Sequence, residues 1–122
     1  MNANTAAAPQ TGQKQPKLVE ITDDNFEREV TRSPLPVLVD FWAAWCAPCR
    51  AMSPHVEALA DAYEGRVRFG KLDADAHPET VAQLDVRSLP TFLLFKDGKV
   101  MGQIVGAVPR SRLEDLVKKS LA

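Results

Sequence analysis

Hydrophobic and polar residues follow one another along this chain in patterns that each predict one element of secondary structure. The short alternating stretch KLVEI, at 17–21, predicts a strand. The following segment, DDNFEREV, predicts a helix, because Thr22 precedes it as an N-cap and its early acidic residues suit a helix N-terminus. SPLP, at 33–36, ends that helix. VLVDFWA, at 37–43, consists almost entirely of hydrophobic residues, which is typical of a strand buried on both faces of a sheet.

Beyond the second strand the periodicity changes to that of a helix. Hydrophobic residues recur at helical spacing at Met52, Val56, Leu59, Ala60 and Tyr63. Gly65 ends this helix. RVRFGKLDAD, at 66–75, predicts another strand. PETVAQLD, at 78–85, predicts a short helix with Pro78 in its first turn.

The last part of the chain predicts a hairpin and a final helix. TFLLF and KVMGQIVG flank the dipeptide Asp97-Gly98, which is the strongest short-range hairpin signal that a sequence offers. The hydrophobic face of an amphipathic helix follows at Leu113, Leu116, Val117 and Leu121. Ser111 and Glu114 have capping-box spacing near the start of that helix.

The predicted order of elements is strand, helix, strand, helix, strand, helix, hairpin, helix. Strands that alternate with helices imply right-handed crossovers and a parallel core, and the hairpin adds an antiparallel portion. We therefore predict an α/β fold with a mixed five-stranded sheet and helices on both of its faces.

Composition and charge limit the classes of function. A chain of 122 residues forms one compact domain, and 45% hydrophobic with 25% charged residues is typical of a soluble globular protein. A formal net charge of -1 without a run of Lys or Arg does not favour nucleic acid or an anionic membrane as a partner. No apolar stretch approaches the ~20 residues that span a bilayer. We expect no nucleic-acid partner and no membrane partner.

The N-terminal stretch MNANTAAAPQTGQKQPK is small, polar and punctuated by proline, and it is predicted to be a disordered tail at 1–17 ahead of a single domain at 18–122. It lacks the ~7–15-residue apolar core of a secretory signal and the arginines of a transit peptide. The expected location is the cytoplasm, where structural disulfides are rare. The expectation does not apply if a signal was removed from a longer precursor before this sequence was recorded.

The two cysteines of the chain, Cys46 and Cys49, lie three positions apart in WCAPC. Structural zinc needs four ligands, and His55 and His77 do not complete a known Cys/His spacing, although a site shared between two chains stays open. A structural disulfide that closes so short a loop constrains the unfolded chain little and stabilises weakly. The third interpretation is a redox-active thiol pair.

A redox pair agrees best with where the cysteines lie. They follow a buried strand directly and open a helix, and Pro48 is tolerated in the first helical turn. Free backbone N–H groups at that helix end favour the thiolate of Cys46 over the thiol. Cys49, one turn later, is expected on the same face and deeper in the protein. One sulfur can then attack a disulfide and the other can resolve the product.

Five separated motifs, DDNF, VDFWAAWCAPC, KLDAD, SLPTFLLFKDG and VGA, resemble the thioredoxin family at the family's spacing. The resemblance runs from about Leu18 to the C-terminus. It implies the thioredoxin fold and a protein-disulfide reductase that cycles between dithiol and disulfide. It also implies recharging by a thioredoxin reductase that draws on NADPH, disulfide-bearing client proteins, no bound cofactor or metal, and a monomer.

The resemblance further implies roles for four residues. Cys46 is the expected nucleophile and Cys49 the resolving thiol. Asp40 is the expected buried base that accepts the Cys49 proton through water, and a lone Asp inside VLVDFW is hard to bury unless its pKa rises. The alternative for Asp40 is a strand end that faces solvent. Lys71 is expected to lie near Asp40 and to adjust its pKa; the alternative is a solvated surface lysine.

A flat docking surface for protein substrates is another implication of the resemblance. Pro90, in SLPT, matches the family's cis-proline, and the backbone of Leu89 beside it is expected to pair with an incoming peptide as an added strand. The other residues expected on this surface are Trp45, Ala47, Pro48, Ser88 and Gly106. Trp42 is expected to pack beneath the site. The resemblance also implies that Pro54 kinks the long helix without ending it, the alternative being two separate helices.

Two residues depart from the family pattern, since Ala47 and Ser88 stand where glycine is usual. The methyl group of Ala47 lies next to the reactive sulfur, and we expect it to shift affinity or potential modestly. Pro48 favours a reductant, because isomerases and strong oxidants of the superfamily usually carry His there. Two other functions stay open: an exported thiol–disulfide carrier, and a binding subunit that holds a partner and uses the thiol state as a switch.

Overall fold

Five strands form one mixed sheet in the computed structural model, which describes residues 17–122. The strands are β1 (Leu18–Glu20), β2 (Val37–Trp42), β3 (Arg68–Asp73), β4 (Thr91–Lys96) and β5 (Lys99–Val105). Their order in the sheet is β1-β3-β2-β4-β5. β3 pairs parallel with β1 and β2, whereas β4 pairs antiparallel with β2 and β5. The predicted mixed α/β sheet is confirmed; the predicted tail, except for Lys17, lies outside the described residues.

Helices cover both faces of this sheet. They are α1 (Ala47–Ala62), α2 (Pro78–Gln83), α3 (Arg110–Lys119) and a short π-helix (Glu27–Thr31). Successive side chains of a strand point to opposite faces. Leu38 of β2 accordingly packs in a core with α1 and α3, while its neighbour Val39 packs in a second core with the π-helix and α2.

The same alternation directs the side chains of Asp40 and Trp42 to the face that carries α1, because both are an even number of residues from Leu38. Four residues separate the end of β2 from the start of α1, and α1 runs without a break through Pro54. Of the two alternatives for that proline, the single helix is therefore correct. Among residues 17–122, no helix combines the length and the hydrophobicity that crossing a bilayer requires.

The predicted hairpin is present between β4 and β5. Asp97 has φ 54° and Gly98 has φ 78°, the left-handed conformations that a two-residue hairpin turn needs at both positions. Gly98 also lies so close to the backbone oxygen of Thr31 that a Cβ atom there would be 2.9 Å from it. The turn therefore requires glycine for two independent reasons.

Three local predictions were wrong. Ser111 and Glu114 do not form a capping box, because α3 starts after Pro109 without a side-chain cap and the Glu114 carboxylate instead accepts a hydrogen bond from Tyr63. Leu121 lies beyond the end of α3 and is 42% exposed. Thr22 exchanges hydrogen bonds with Asn25 in a turn that precedes the π-helix, rather than capping that helix itself.

Candidate active site

The two cysteines lie at the start of α1, at the carboxyl end of β2. Cys46 is the N-cap of the helix, with an extended backbone at φ -92° and ψ 103°. Its Sγ accepts a hydrogen bond from the backbone N–H of Cys49 at 3.2 Å. The two residues are joined by a disulfide, with Cα atoms 5.3 Å apart. Once the disulfide is reduced, the helix N-terminus and the N–H of Cys49 favour the thiolate of Cys46 over the thiol.

Both cysteines are buried to the same extent. Each residue is 3% exposed, so the prediction that Cys49 lies deeper than Cys46 is wrong for the disulfide state. One bond joins the two sulfurs within a single helical turn, and both cysteines belong to one buried cluster with Ala43, against which Trp42 and Leu89 pack.

Asp40 is a buried carboxyl group on β2. It is 7% exposed, which excludes the alternative of a solvent-facing strand end. It lies opposite Lys71 in the pairing of β2 with β3. Burial raises the pKa of Asp40 from 3.8 to about 7, and the nearby positive charge of Lys71 opposes part of that rise. A carboxyl group with this pKa exchanges a proton near neutral pH.

A cavity of about 120 Å³ connects Asp40 with Cys49. Trp42 and Lys71 also line it, with the Lys71 Nζ atom 5.4 Å from the centre of the Trp42 ring. The helix α1 contributes further polar groups to its wall from Arg50, Ser53 and Glu57. The volume is enough for several water molecules, and the polar lining supplies hydrogen-bond partners for them.

The predicted docking residues lie at the start of α1, in the segment just before β4 and at the end of β5. Trp45 is 68% exposed and borders a groove of about 310 Å³ together with Ser88 and Leu89. The peptide bond between Leu89 and Pro90 is cis. Ala47 and Pro48 are exposed in the first turn of α1, and Gly106, at φ 95°, donates its backbone N–H to the Pro90 carbonyl at 2.8 Å.

Three polar residues near the pair were not predicted from the sequence. Asp75 accepts a hydrogen bond from the Trp45 indole N–H at 2.9 Å, and Arg50 donates to the carbonyl of Ala44 at 2.7 Å. Ser53 donates to the Cys49 carbonyl at 3.3 Å. Asp75 could have been found from its position just after β3, because the carboxyl ends of neighbouring parallel strands meet at one edge of a sheet. Ser53 lies four positions after Cys49 and so shares its helix face.

This arrangement can perform dithiol–disulfide exchange. It combines a sulfur at a helix N-terminus, a second sulfur one turn away and a buried carboxyl group that titrates near neutrality. Within residues 17–122, no group of three or more His, Cys, Asp or Glu side chains could hold a metal ion.

Comparison with known proteins agrees with this chemistry. The model of the family described as Thioredoxin matches residues 17–119. A thioredoxin of Porphyra purpurea is 44% identical over 103 residues, which cover 84% of this chain and 96% of the relative. Thioredoxin 1 of Nostoc sp. is 43% identical over 102 residues, which cover 84% and 95% of the two chains. Thioredoxin 2 of Chlorobaculum tepidum is 47% identical over 97 residues, which cover 80% and 89%.

These relatives share nearly their whole length with the chain, including the segment that carries the cysteine pair. The pair and the relatives together identify a thiol–disulfide oxidoreductase that reduces protein disulfides. The chain belongs to the thioredoxin family.

Proposed function

We propose that Cys46 is the attacking thiol and Cys49 the resolving thiol of this reductase. The Cys46 thiolate attacks a client disulfide, forming a mixed disulfide and releasing one client thiolate. The Cys49 thiolate then attacks the Cys46 sulfur, which forms the Cys46–Cys49 disulfide and releases the second client thiolate. Two electrons pass from the protein to the client. The observation that carries this assignment is the position of Cys46 as the N-cap of α1, with the Cys49 N–H donated to its sulfur.

Asp40 is the proposed base of the second step. A Cys49 thiol must lose its proton before its sulfur can attack, and Asp40 lines the same cavity as Cys49. A carboxyl with a pKa of about 7 accepts that proton at physiological pH and releases it again to solvent. The proposed role of Lys71 is to limit the rise in the pKa of Asp40, because its positive charge favours the carboxylate.

The groove beside Trp45 is the proposed place where clients dock. An extended client segment that lies along Leu89 and Pro90 would present its disulfide to Cys46, with its backbone paired to that of Leu89. Trp45, Ala47, Pro48, Ser88 and Gly106 are the proposed contacts around it. The exposed indole of Trp45 offers apolar area, and its bond to Asp75 holds the ring in place.

We also propose a source of electrons, an oligomeric state and a cellular location for the protein. A thioredoxin reductase that draws on NADPH would regenerate the dithiol, and the protein itself would hold no cofactor. We infer a monomer that works in the cytoplasm, where such a reductase keeps thiols reduced. Sedimentation of the purified protein and fractionation of cells test these two points. The relatives carry the name thioredoxin, and no observation favours the exported carrier or the redox-switched binding subunit.

Reduction of insulin with NADPH and a bacterial thioredoxin reductase tests the assignment. The wild-type protein should turn over. Cys46→Ser should abolish turnover and form no adduct with a client disulfide, whereas Cys49→Ser should also lose turnover but accumulate a mixed disulfide through Cys46, visible by mass spectrometry. An adduct on Cys49 in the Cys46→Ser variant, formed as fast as the Cys46 adduct, would contradict the order of attack.

Asp40→Asn should slow the resolving step while leaving the first attack nearly unchanged.

A further inference from the structure

Two residues that line the cavity beside Cys49 each have a buried polar atom without a protein partner. The atoms are Asp40 Oδ1 and Trp42 Nε1, and among residues 17–122 they are the only buried side-chain nitrogen or oxygen atoms that lack a hydrogen bond. One is an acceptor when Asp40 is ionised, and the other is a donor. A buried polar group that is left without any partner is costly, so two complementary ones, on two residues that line one cavity, point to a shared partner.

We propose that Trp42 is a positioning residue for the resolving step, and that its indole N–H holds a water molecule that bridges to Asp40 Oδ1 and receives the proton of Cys49. This inference rests on the proposed role of Asp40 as the base. The cavity has room for such a water, and Cys49 lines the same space.

The indole N–H would fix the orientation of the water because it can only donate. It occupies one lone pair of the water oxygen, and Asp40 Oδ1 takes one of the water's O–H groups. The second lone pair is then free to accept the Cys49 S–H. Lys71 lies over the face of the Trp42 ring, and this cation–π contact restrains the indole.

The proton transfer balances through this water. The S–H bond of Cys49 breaks as an O–H bond forms on the water, and the O–H bond that the water directs at Asp40 breaks as the carboxyl O–H forms. The water is regenerated, Asp40 becomes neutral and Cys49 becomes a thiolate. That thiolate attacks the Cys46 sulfur of the mixed disulfide and expels the client thiolate.

Replacement of Trp42 by benzothienylalanine tests the proposal, because sulfur takes the place of the N–H and the ring keeps its shape. The dithiol protein is mixed rapidly with an aromatic disulfide whose thiolate is coloured. Release of the first thiolate reports attack by Cys46, and release of the second reports resolution by Cys49. We expect the second phase to slow roughly fivefold, the effect of one lost hydrogen bond, with the first phase unchanged. The pKa of Asp40, followed by carboxyl NMR, should rise further above its ordinary value.

Trp45 provides the matched control, since the same replacement there removes an N–H that is donated to Asp75 and should leave the Asp40 titration unaltered. In an Asp40→Asn background, replacing Trp42 should slow the second phase no further, because both changes break one path. If Asp40→Asn slows resolution and the Trp42 replacement does not, the inference about Trp42 is wrong while the role of Asp40 stands. If Asp40→Asn itself has no effect on resolution, the proposed base is wrong and the inference falls with it.

A high-resolution crystal structure gives an independent test that does not depend on activity. We expect a water within hydrogen-bond distance of both Trp42 Nε1 and Asp40 Oδ1. A water that contacts only one of these atoms, or a direct hydrogen bond between the two side chains, would overturn the proposal.

Discussion

A side-chain hydrogen bond joins Tyr63, at the end of α1, to Glu114 of α3. Tyr63 Oη donates to Glu114 Oε2 at 2.6 Å, although the two residues are 51 positions apart in the chain. Because the phenol proton is shared with a negative acceptor, the bond to Glu114 raises the pKa of Tyr63 above its ordinary 10.0, and burial adds to the rise. This residue pair shows how an interaction between distant elements determines the chemistry of one group.

The first prediction is that Glu114→Gln lowers the pKa of Tyr63 towards the ordinary value, since the neutral amide no longer favours the protonated phenol. The chain has one tyrosine, so the ultraviolet absorbance of tyrosinate follows this residue alone. Asp115→Asn, an equal change of charge on an exposed neighbour, is the control and should shift the titration little. Equal titration curves for wild type and Glu114→Gln would show that the hydrogen bond does not form in solution.

At the scale of the element, α2 depends on a residue from a distant loop. The helix has six residues, and the side chain of its N-cap, His77, makes no capping hydrogen bond. Asp23 supplies the cap instead, because its carboxylate accepts the backbone N–H of Thr80 at 2.8 Å, the Thr80 hydroxyl at 2.7 Å and the N–H of Glu79 at 3.3 Å. These hydrogen bonds join the loop that precedes the π-helix to the first turn of α2.

The second prediction concerns this cap. Asp23→Ala should lower the free energy of unfolding by about 1 kcal/mol, the usual effect of removing a helix cap, measured by urea unfolding. Asp24→Ala is the matched control, because Asp24 is the same residue type in the next position and is exposed. Equal losses from the two substitutions would mean that Asp23 stabilises the protein by its charge alone.

The ends of elements were the part of the fold that the sequence predicted least well. The order of strands and helices follows from hydrophobic periodicity, which is a local property. Glu114 had the spacing of a capping box, but the hydroxyl of Tyr63 competes for its carboxylate. The cap of α2 could not be predicted either, because Asp23 is 57 positions from Thr80 and no local pattern connects them. Helix ends are decided by partners that only the folded chain supplies.

At the scale of the whole molecule, the sequence indicated candidate residues for the chemistry but not the space that lies between them. The apolar neighbours of Asp40 predicted its burial, and the helix after WCAPC predicted the position of Cys46. The cavity arises only where β2, β3 and α1 meet, and two of the residues that line it, Asp40 and Trp42, each have a buried polar atom without a protein partner. A pattern along the chain predicts which face a side chain points to, but it does not predict the space left between packed elements.

Asp40 also sets how the stability of the whole molecule depends on pH, which gives the third prediction. Its pKa is about 7 in the folded protein and near 3.8 when unfolded. Below pH ~3.8 both states are protonated and burial of the carboxyl carries no ionisation penalty. As pH rises towards ~7 the unfolded chain releases the proton that the folded chain keeps, so stability falls, by a total on the order of 4 kcal/mol above pH ~7. Asp40→Asn removes this penalty.

The variant should therefore unfold at higher urea concentration than the wild type at about pH 8.5, with the gain shrinking steadily and nearly vanishing at about pH 4. Asp24→Asn, at an exposed position, should show no comparable trend. A gain of the same size at both pH values would show that packing, and not the ionisation of Asp40, separates the variant from the wild type. A gain that grows from about pH 4 to about pH 7 and then levels off means that the ionisation of a buried carboxyl group weakens the fold. The burial that costs this stability also gives Asp40 the pKa that the proposed proton transfer from Cys49 requires.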